Sequence, residues 1–286
     1  MSETFGQRLR AALDTHGALC VGIDPHAALL SAWGLDATAD GARELGLRVV
    51  EAAAGRVGVV KPQVAFYERY GSRGFAALED VMAAARAAGL LVIADAKRGD
   101  IGTTMEGYAA AWLEPGSPLE ADAVTLTPYL GPDSLRATLA LALRARKGAF
   151  VLAATSNPEA RALQSARVDD ALAIGDDEHV AARVARDVNE ANIGLPGALG
   201  SIGVVVGATV DRADFGLGDM TLAGMPILAP GFGAQGAEPA DLSRLFGYVA
   251  GAVVANESRS ILAVGPDRLA DRITARAALY RENTHG

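Results

Sequence analysis

Five charged residues stand out by type and position: Asp24, Lys61, Asp95, Lys97 and Asp100. Of 26 basic residues only Lys61, Lys97 and Lys147 are lysines; the rest are arginines. A lysine is a compact ammonium that can give up its proton, which arginine practically cannot. Two lysines crowded together would lose protons. Interleaved aspartates keep both charged, because each close opposite pair contributes ~4 kcal/mol of raw Coulomb energy near a surface. Such an alternation can bind a polar anionic ligand and hold a lysine ready as a proton donor. The competing reading is a structural set of ion pairs.

The elements that must position these groups are legible as apolar runs. Short runs at 18–24, 57–61, 90–95, 123–127, 149–154, 202–206, 226–229 and 252–255 alternate with Ala/Leu/Arg-rich helical stretches. The runs are near-continuously apolar rather than alternating, which suits parallel strands covered on both faces. Helices are expected at 3–15, 39–54, 75–88, 104–113, 133–146, 178–191, 238–249 and 266–281. Eight βα units predict a (β/α)8 barrel forming a single domain over 1–286, with 155–201 as an inserted loop and helix over the barrel mouth. A doubly wound open sheet is the alternative.

In a barrel the active site lies at the C-terminal ends of the strands. Asp24 ends the first run, Lys61 the second and Asp95 the third, with Lys97 two residues beyond it. Strand residues i and i+2 face one side, ~7 Å apart, so Asp95 and Lys97 both point toward the interior. Asp100 sits in the RGD loop that follows, where it can turn away from its own barrel and complete a neighbour's site. Thr103 and Glu106 have the spacing of a capping box. The seventh run leads into APGFGAQGAE and the eighth into ANESRSI. The loops after strands seven and eight frequently bind phosphate. There, glycines admit backbone N–H groups close to an anion, and the Arg259 guanidinium forks onto phosphate oxygens. The fifth run ends in ATSNP, whose Ser156 or Asn157 could meet a polar edge of the ligand or simply form a turn. His26 beside the site reads as structural.

Together these residues resemble the orotidine 5′-phosphate decarboxylase family, in its longer-chain branch. The resemblance rests on DAKRGDIGTT, which holds Asp95-Ala-Lys97-Arg-Gly-Asp100, and on KPQVAFYERYG (61–71), PGFGAQG (230–236) and ESRSI. It spans nearly the whole chain. It implies decarboxylation of orotidine 5′-monophosphate to UMP in pyrimidine synthesis, with neither cofactor nor metal. It implies that Asp24 and Lys61 bind ribose hydroxyls, Asp95 lies near the substrate carboxylate and Lys97 protonates C6. Ser156 would meet the pyrimidine and Gln235 would bridge base and phosphate. Arg259, Gly233 and Ser260 would hold the phosphate. Asp100, Ile101 and Thr104 would reach into the partner's site of a homodimer. The Asp-x-Lys-x-x-Asp element alone is shared with related sugar-phosphate decarboxylases and synthases. A metal-dependent enzyme of that kind is therefore the alternative, ahead of a Schiff-base aldolase or a non-catalytic ligand-binding protein.

The net charge of −8 and the lack of a long Lys/Arg run argue against nucleic acid and anionic membranes as partners. The lone Cys20, inside an apolar run, is expected to be a buried, inert thiol. No apolar stretch reaches membrane-spanning length, and the mixed-charge N-terminus lacks a signal core, so a cytoplasmic protein is expected.

Overall fold

The computed structural model describes residues 3–169 and 178–284. Eight parallel strands close into a barrel in sequence order. They are β1 (Leu19–Ile23), β2 (Val59–Pro62), β3 (Leu91–Arg98), β4 (Ala123–Leu126), β5 (Gly148–Ala154), β6 (Ile202–Val206), β7 (Ile227–Pro230) and β8 (Val253–Glu257). The expected (β/α)8 architecture is the observed one.

The helices before the fourth strand are α1 (Phe5–His16), α2 (Ala27–Ala32), α3 (Ala39–Ala53), α4 (Ala65–Glu68), α5 (Gly71–Ala87) and α6 (Gly102–Leu113). Those after it are α7 (Arg136–Arg144), α8 (Arg161–Gln164), α9 (Val180–Asn189), α10 (Asp219–Leu222), α11 (Leu242–Phe246), α12 (Arg259–Leu262) and α13 (Leu269–Thr284). The helix expected over 238–249 is realised only as the short α11 between two 3-10 turns. Pro239 opens the first turn and Gly247, at φ +53°, breaks the run.

Period-2 alternation sorts the strand residues into two cores. Cys20, Val59, Ile93, Ala123, Phe150, Val205, Leu228 and Val254 fill the barrel interior. Their neighbours Val21, Val60, Val92, Val124, Val151, Val204, Ile227 and Val253 pack outward under the helices. Helix α1 closes the floor. Its Phe5, Leu9 and Leu13 repeat every four residues and join the interior core, with Phe5 edge-on to Phe150 at 6.2 Å. Thr4 and Gln7 form a reciprocal capping box at its start. Within 155–201, α9 lies against β5 and β6 in the barrel wall, and the Ser201 hydroxyl accepts the Gly6 amide of α1 at the floor. Residues 170–177 of that stretch lie outside the described residues.

Lys147, the third lysine, sits at the opposite end of the barrel from the other two. It is buried at the start of β5 and paired with Glu120 at 2.7 Å. Cys20 is fully buried, and burial pushes its thiol up to about 12, as expected for an inert core thiol. Among the described residues no helix is long and apolar enough to cross a membrane.

Candidate active site

The inward parity that fills the interior with apolar residues continues to the strand ends, and there it delivers charge. Cys20 leads by twos to Asp24, Val59 to Lys61, Ile93 to Asp95 and Ala123 to Thr125. At the mouth, Lys61 Nζ donates to Asp95 Oδ2 at 2.7 Å and Lys97 Nζ to Asp95 Oδ1 at 2.6 Å. Burial disfavours both the Lys61 ammonium and the Asp95 carboxylate as ions. Their mutual attraction wins: with Asp24 it holds the Lys61 pKa above the usual lysine value, and with Lys97 it holds Asp95 well below the usual carboxylate range. Lys61 and Asp95 are thus both ionised at neutral pH.

Two residues not singled out in the sequence complete it. Thr125 Oγ1 donates to Asp95 Oδ1 at 2.9 Å. The Gln63 amide, in the orientation that satisfies its neighbours, donates to Asp95 Oδ2 at 2.9 Å and to the Asp95 carbonyl at 2.8 Å. Gln63 follows Lys61 by two, so the same period-2 count that found Lys61 would have found it. Lys97 itself has φ +48°, a left-handed backbone that costs of order 1–3 kcal/mol outside glycine. The β3–β4 register shifts between Ala94 and Arg98, so this bend falls where the ladder is interrupted.

Asp24 Oδ1 is buried without a hydrogen-bond partner among the described residues. Across the β1–β8 seam, Asn256 Oδ1 and Ser258 Oγ are orphaned in the same way. Buried acceptors without donors are costly, and a ligand hydroxyl is the kind of group that would satisfy them. Asn256, on the inward parity of β8, was missed by reading only strand-end charges.

Asp100, Ile101 and Thr104 do not join the array of their own chain. Asp100 accepts the Ile101 amide at 2.8 Å, and Ile101 is 61% exposed just before α6. The expected Thr103–Glu106 capping box is absent, because Ile101 occupies the cap position and Thr103 already lies inside the helix. His26 is structural. Its Nδ1 accepts the Leu29 amide at 3.3 Å to cap α2, and its ring meets Phe66 edge-on.

At β5, Thr155 is held by Gln164 and Asn157, and Asn157 by Glu159. Ser156 is exposed, and its backbone and Cβ abut Gly207 after β6. The β7 loop turns through left-handed glycines at 231, 233 and 236. Gln235 stands exposed on it, and Arg259 stands exposed at the start of α12 after β8. A side chain at Gly233 would collide with Ser260 and Glu257, so glycine is required for the loop to lie against α12. The Ser260 hydroxyl is itself engaged, donating to Glu257 Oε2 at 2.6 Å. Glu257 is fully buried on the outward parity of β8 and also takes Arg276 and Tyr280. Arg276 bridges on to Glu238 at 2.8 Å and so ties α13 to the end of the glycine loop.

The fold and site define a (β/α)8-barrel enzyme with a salt-bridged Lys-Asp-Lys array at the mouth and a glycine loop beside an arginine. The chain belongs to the orotidine 5′-phosphate decarboxylase / HUMPS family, whose model matches residues 17–271. It is 50% identical over 264 residues to the orotidine 5′-phosphate decarboxylase of Corynebacterium glutamicum, covering 92% of each chain. It is 50% identical over 275 residues to that of Streptomyces coelicolor, covering 96% of this chain and 95% of the other. A solved structure from Streptomyces avermitilis superposes with a TM-score of 0.90 at 46% identity, covering 100% of this chain and 97% of that one. The structure of Leishmania donovani OMP decarboxylase gives 0.72 at 30% identity, covering 98% of this chain and 99% of that one.

Proposed function

We propose that this enzyme decarboxylates orotidine 5′-monophosphate to UMP and carbon dioxide. The observation that carries the reading is the single carboxylate of Asp95 gripped by two ammonium groups at the barrel mouth, in a chain half identical to orotidine 5′-phosphate decarboxylases.

Loss of carbon dioxide from C6 leaves an electron pair in an sp² orbital that the pyrimidine ring cannot delocalise. Fixed charge must favour that carbanion over the carboxylate. Asp95 lies beside the substrate carboxylate and repels it, while Lys97 faces C6. As the C6–carboxylate bond breaks, its electron pair remains on C6 and takes a proton from Lys97 Nζ. Lys61 steadies Asp95, and with Asp24 it takes the ribose hydroxyls. Ser156, the residue of its loop without a hydrogen bond among the described residues, meets the pyrimidine edge. Gln235 bridges base and phosphate, and Arg259 with the backbone at Gly233 holds the phosphate. Ser260 serves indirectly, by bracing that loop against Glu257. Binding energy from the distant phosphate helps organise the charges at the reacting bond.

A homodimer completes the site in this reading. The loops after β3 and β4 touch, through the Thr127 amide on the Arg98 carbonyl at 2.8 Å. They expose Ile101, Tyr129 and Leu130, an apolar surface suited to a second copy. From there Asp100, Ile101 and Thr104 reach the neighbouring site. Nucleotide synthesis from water-soluble precursors supports a cytoplasmic location.

The metal-dependent alternative is not favoured, since a cation at Asp95 would have to displace both ammonium groups. Purified protein with orotidine 5′-monophosphate, followed by ultraviolet absorbance with and without EDTA, tests the proposal. The expected result is loss of orotate absorbance and appearance of UMP, unaffected by chelator. Folded protein without turnover overturns it.

A further inference from the structure

Lys97 is held by an arrangement that strand geometry alone does not supply. Its φ of +48° is one of two left-handed values at non-glycine residues among the described residues. Its side chain is 46% exposed, so packing does not fix it. Because the β3–β4 register slips between Ala94 and Arg98, its amide has no regular ladder partner on β4. The amide donates instead to Thr125 Oγ1 at 2.9 Å. The same hydroxyl donates to Asp95 Oδ1 at 2.9 Å, and that oxygen accepts the Lys97 ammonium at 2.6 Å. An amide can only donate and an ionised carboxylate can only accept, so the one hydroxyl proton has a determined place. The result is a closed ring: Lys97 amide, Thr125 hydroxyl, Asp95 carboxylate, Lys97 ammonium. It fastens both ends of one lysine to one buried threonine, itself 1% exposed.

We propose that Thr125 is a positioning residue for the decarboxylation, its hydroxyl clamping the left-handed backbone of Lys97 to the Asp95 carboxylate and so aiming the ammonium. The inference rests on Lys97 acting as proton donor, as set out above. Valine has nearly the same shape as threonine but can neither accept the amide nor donate to the carboxylate. Without the hydroxyl the bend at Lys97 relaxes and the ammonium moves off line. Misplacement of a reacting group by about 1 Å is enough to slow chemistry ~100-fold. The ribose and phosphate contacts lie on other strands and are untouched.

The test compares wild type, Thr125→Val, Thr125→Ala and Thr125→Ser in steady-state decarboxylation of orotidine 5′-monophosphate. Active sites are titrated by UMP binding, so that unfolded protein does not count. Val and Ala are expected to lower kcat about 10- to 100-fold while KM and the UMP dissociation constant stay within about threefold. Ser, which keeps the hydroxyl, restores kcat to within about threefold. Ala carries the same expectation as Val with less volume, should Val disturb folding. Wild-type kcat per titrated site in Val or Ala overturns the inference, whatever the melting temperature does. So does Ser as slow as Val, or a loss confined to KM. Wild type active with Val equally fast removes only this role for Thr125. Wild type inactive on the nucleotide removes the proposed function and this inference with it.

Discussion

Lys61 and Lys97 grip opposite oxygens of one carboxylate. Lys61 Nζ stands 2.7 Å from Asp95 Oδ2, and Lys97 Nζ 2.6 Å from Oδ1. The two lysines differ in setting. Lys61 is buried, whereas the Lys97 side chain is 46% exposed and reaches into the open mouth. One ammonium is therefore fixed inside the array while the other stands open to solvent at the mouth.

The reach of Asp100 into a partner is tested by mixing chains. Lys97→Ala and Asp100→Ala homodimers are each expected to be nearly inactive. Refolded together, heterodimers contain one site with both wild-type residues, so a 1:1 statistical mixture recovers about a quarter of wild-type activity. Activity no greater than the sum of the separate variants shows that Asp100 acts in its own chain.

Arg259 is exposed and forms no ion pair among the described residues. Arg259→Ala is expected to raise KM for orotidine 5′-monophosphate at least ~10-fold, the order of a lost charge-assisted contact. Orotidine, which lacks the phosphate, should be processed at the same low rate by variant and wild type. An equal penalty on orotidine contradicts the phosphate role.

The pH response follows from the direction of the shifts. Asp95 is depressed below its ordinary 3.8, so its contribution to stability is complete above that value and is lost as pH falls through its folded pKa. Lys61 is raised above its ordinary 10.5, so its contribution is complete below that value and is lost as pH rises through its folded pKa. Carboxyl-carbon NMR of labelled protein should therefore show Asp95 ionised throughout roughly pH 4–9. An Asp95 signal that titrates between pH 5 and 7 contradicts the array as described.

The Glu257–Arg276 pair lies beside the glycine loop after β7, with Arg276 Nη2 2.6 Å from Glu257 Oε1. Arg276→Met leaves a buried carboxylate without its cation and should cost ~3–5 kcal/mol in urea unfolding. Adding Glu257→Gln removes the stranded charge and should recover part of that loss. A double variant no more stable than the single one contradicts a charge origin.

The barrel was legible because a near-continuous apolar run underlies every strand, the pattern of a parallel strand covered on both faces. Asp24, Lys61 and Asp95 were legible because the same inward parity extends past each run. Gln63 lies on that parity too but carries no charge to mark it, and Thr125 was passed over because a threonine in a strand ordinarily reflects β-propensity. Only the slipped register at Ala94–Arg98 turns its hydroxyl into a partner for Lys97. The Thr103–Glu106 cap failed because Gly102, at φ +53°, starts the helix two residues early and draws Thr103 inside it. Ser260 carries the spacing of a phosphate ligand, yet the buried Glu257 three residues earlier claims its hydroxyl, which no local motif announces.

The central claim is that the Lys97 ammonium, held by Asp95, protonates C6 of orotidine 5′-monophosphate. The most direct measurement is the rate of orotate absorbance loss for wild type and Lys97→Ala side by side, with UMP binding and melting temperature recorded for both. The account predicts rapid turnover by wild type. It predicts that Lys97→Ala folds, binds UMP and loses at least ~10²–10⁴-fold in kcat. Near-normal turnover by Lys97→Ala would contradict it.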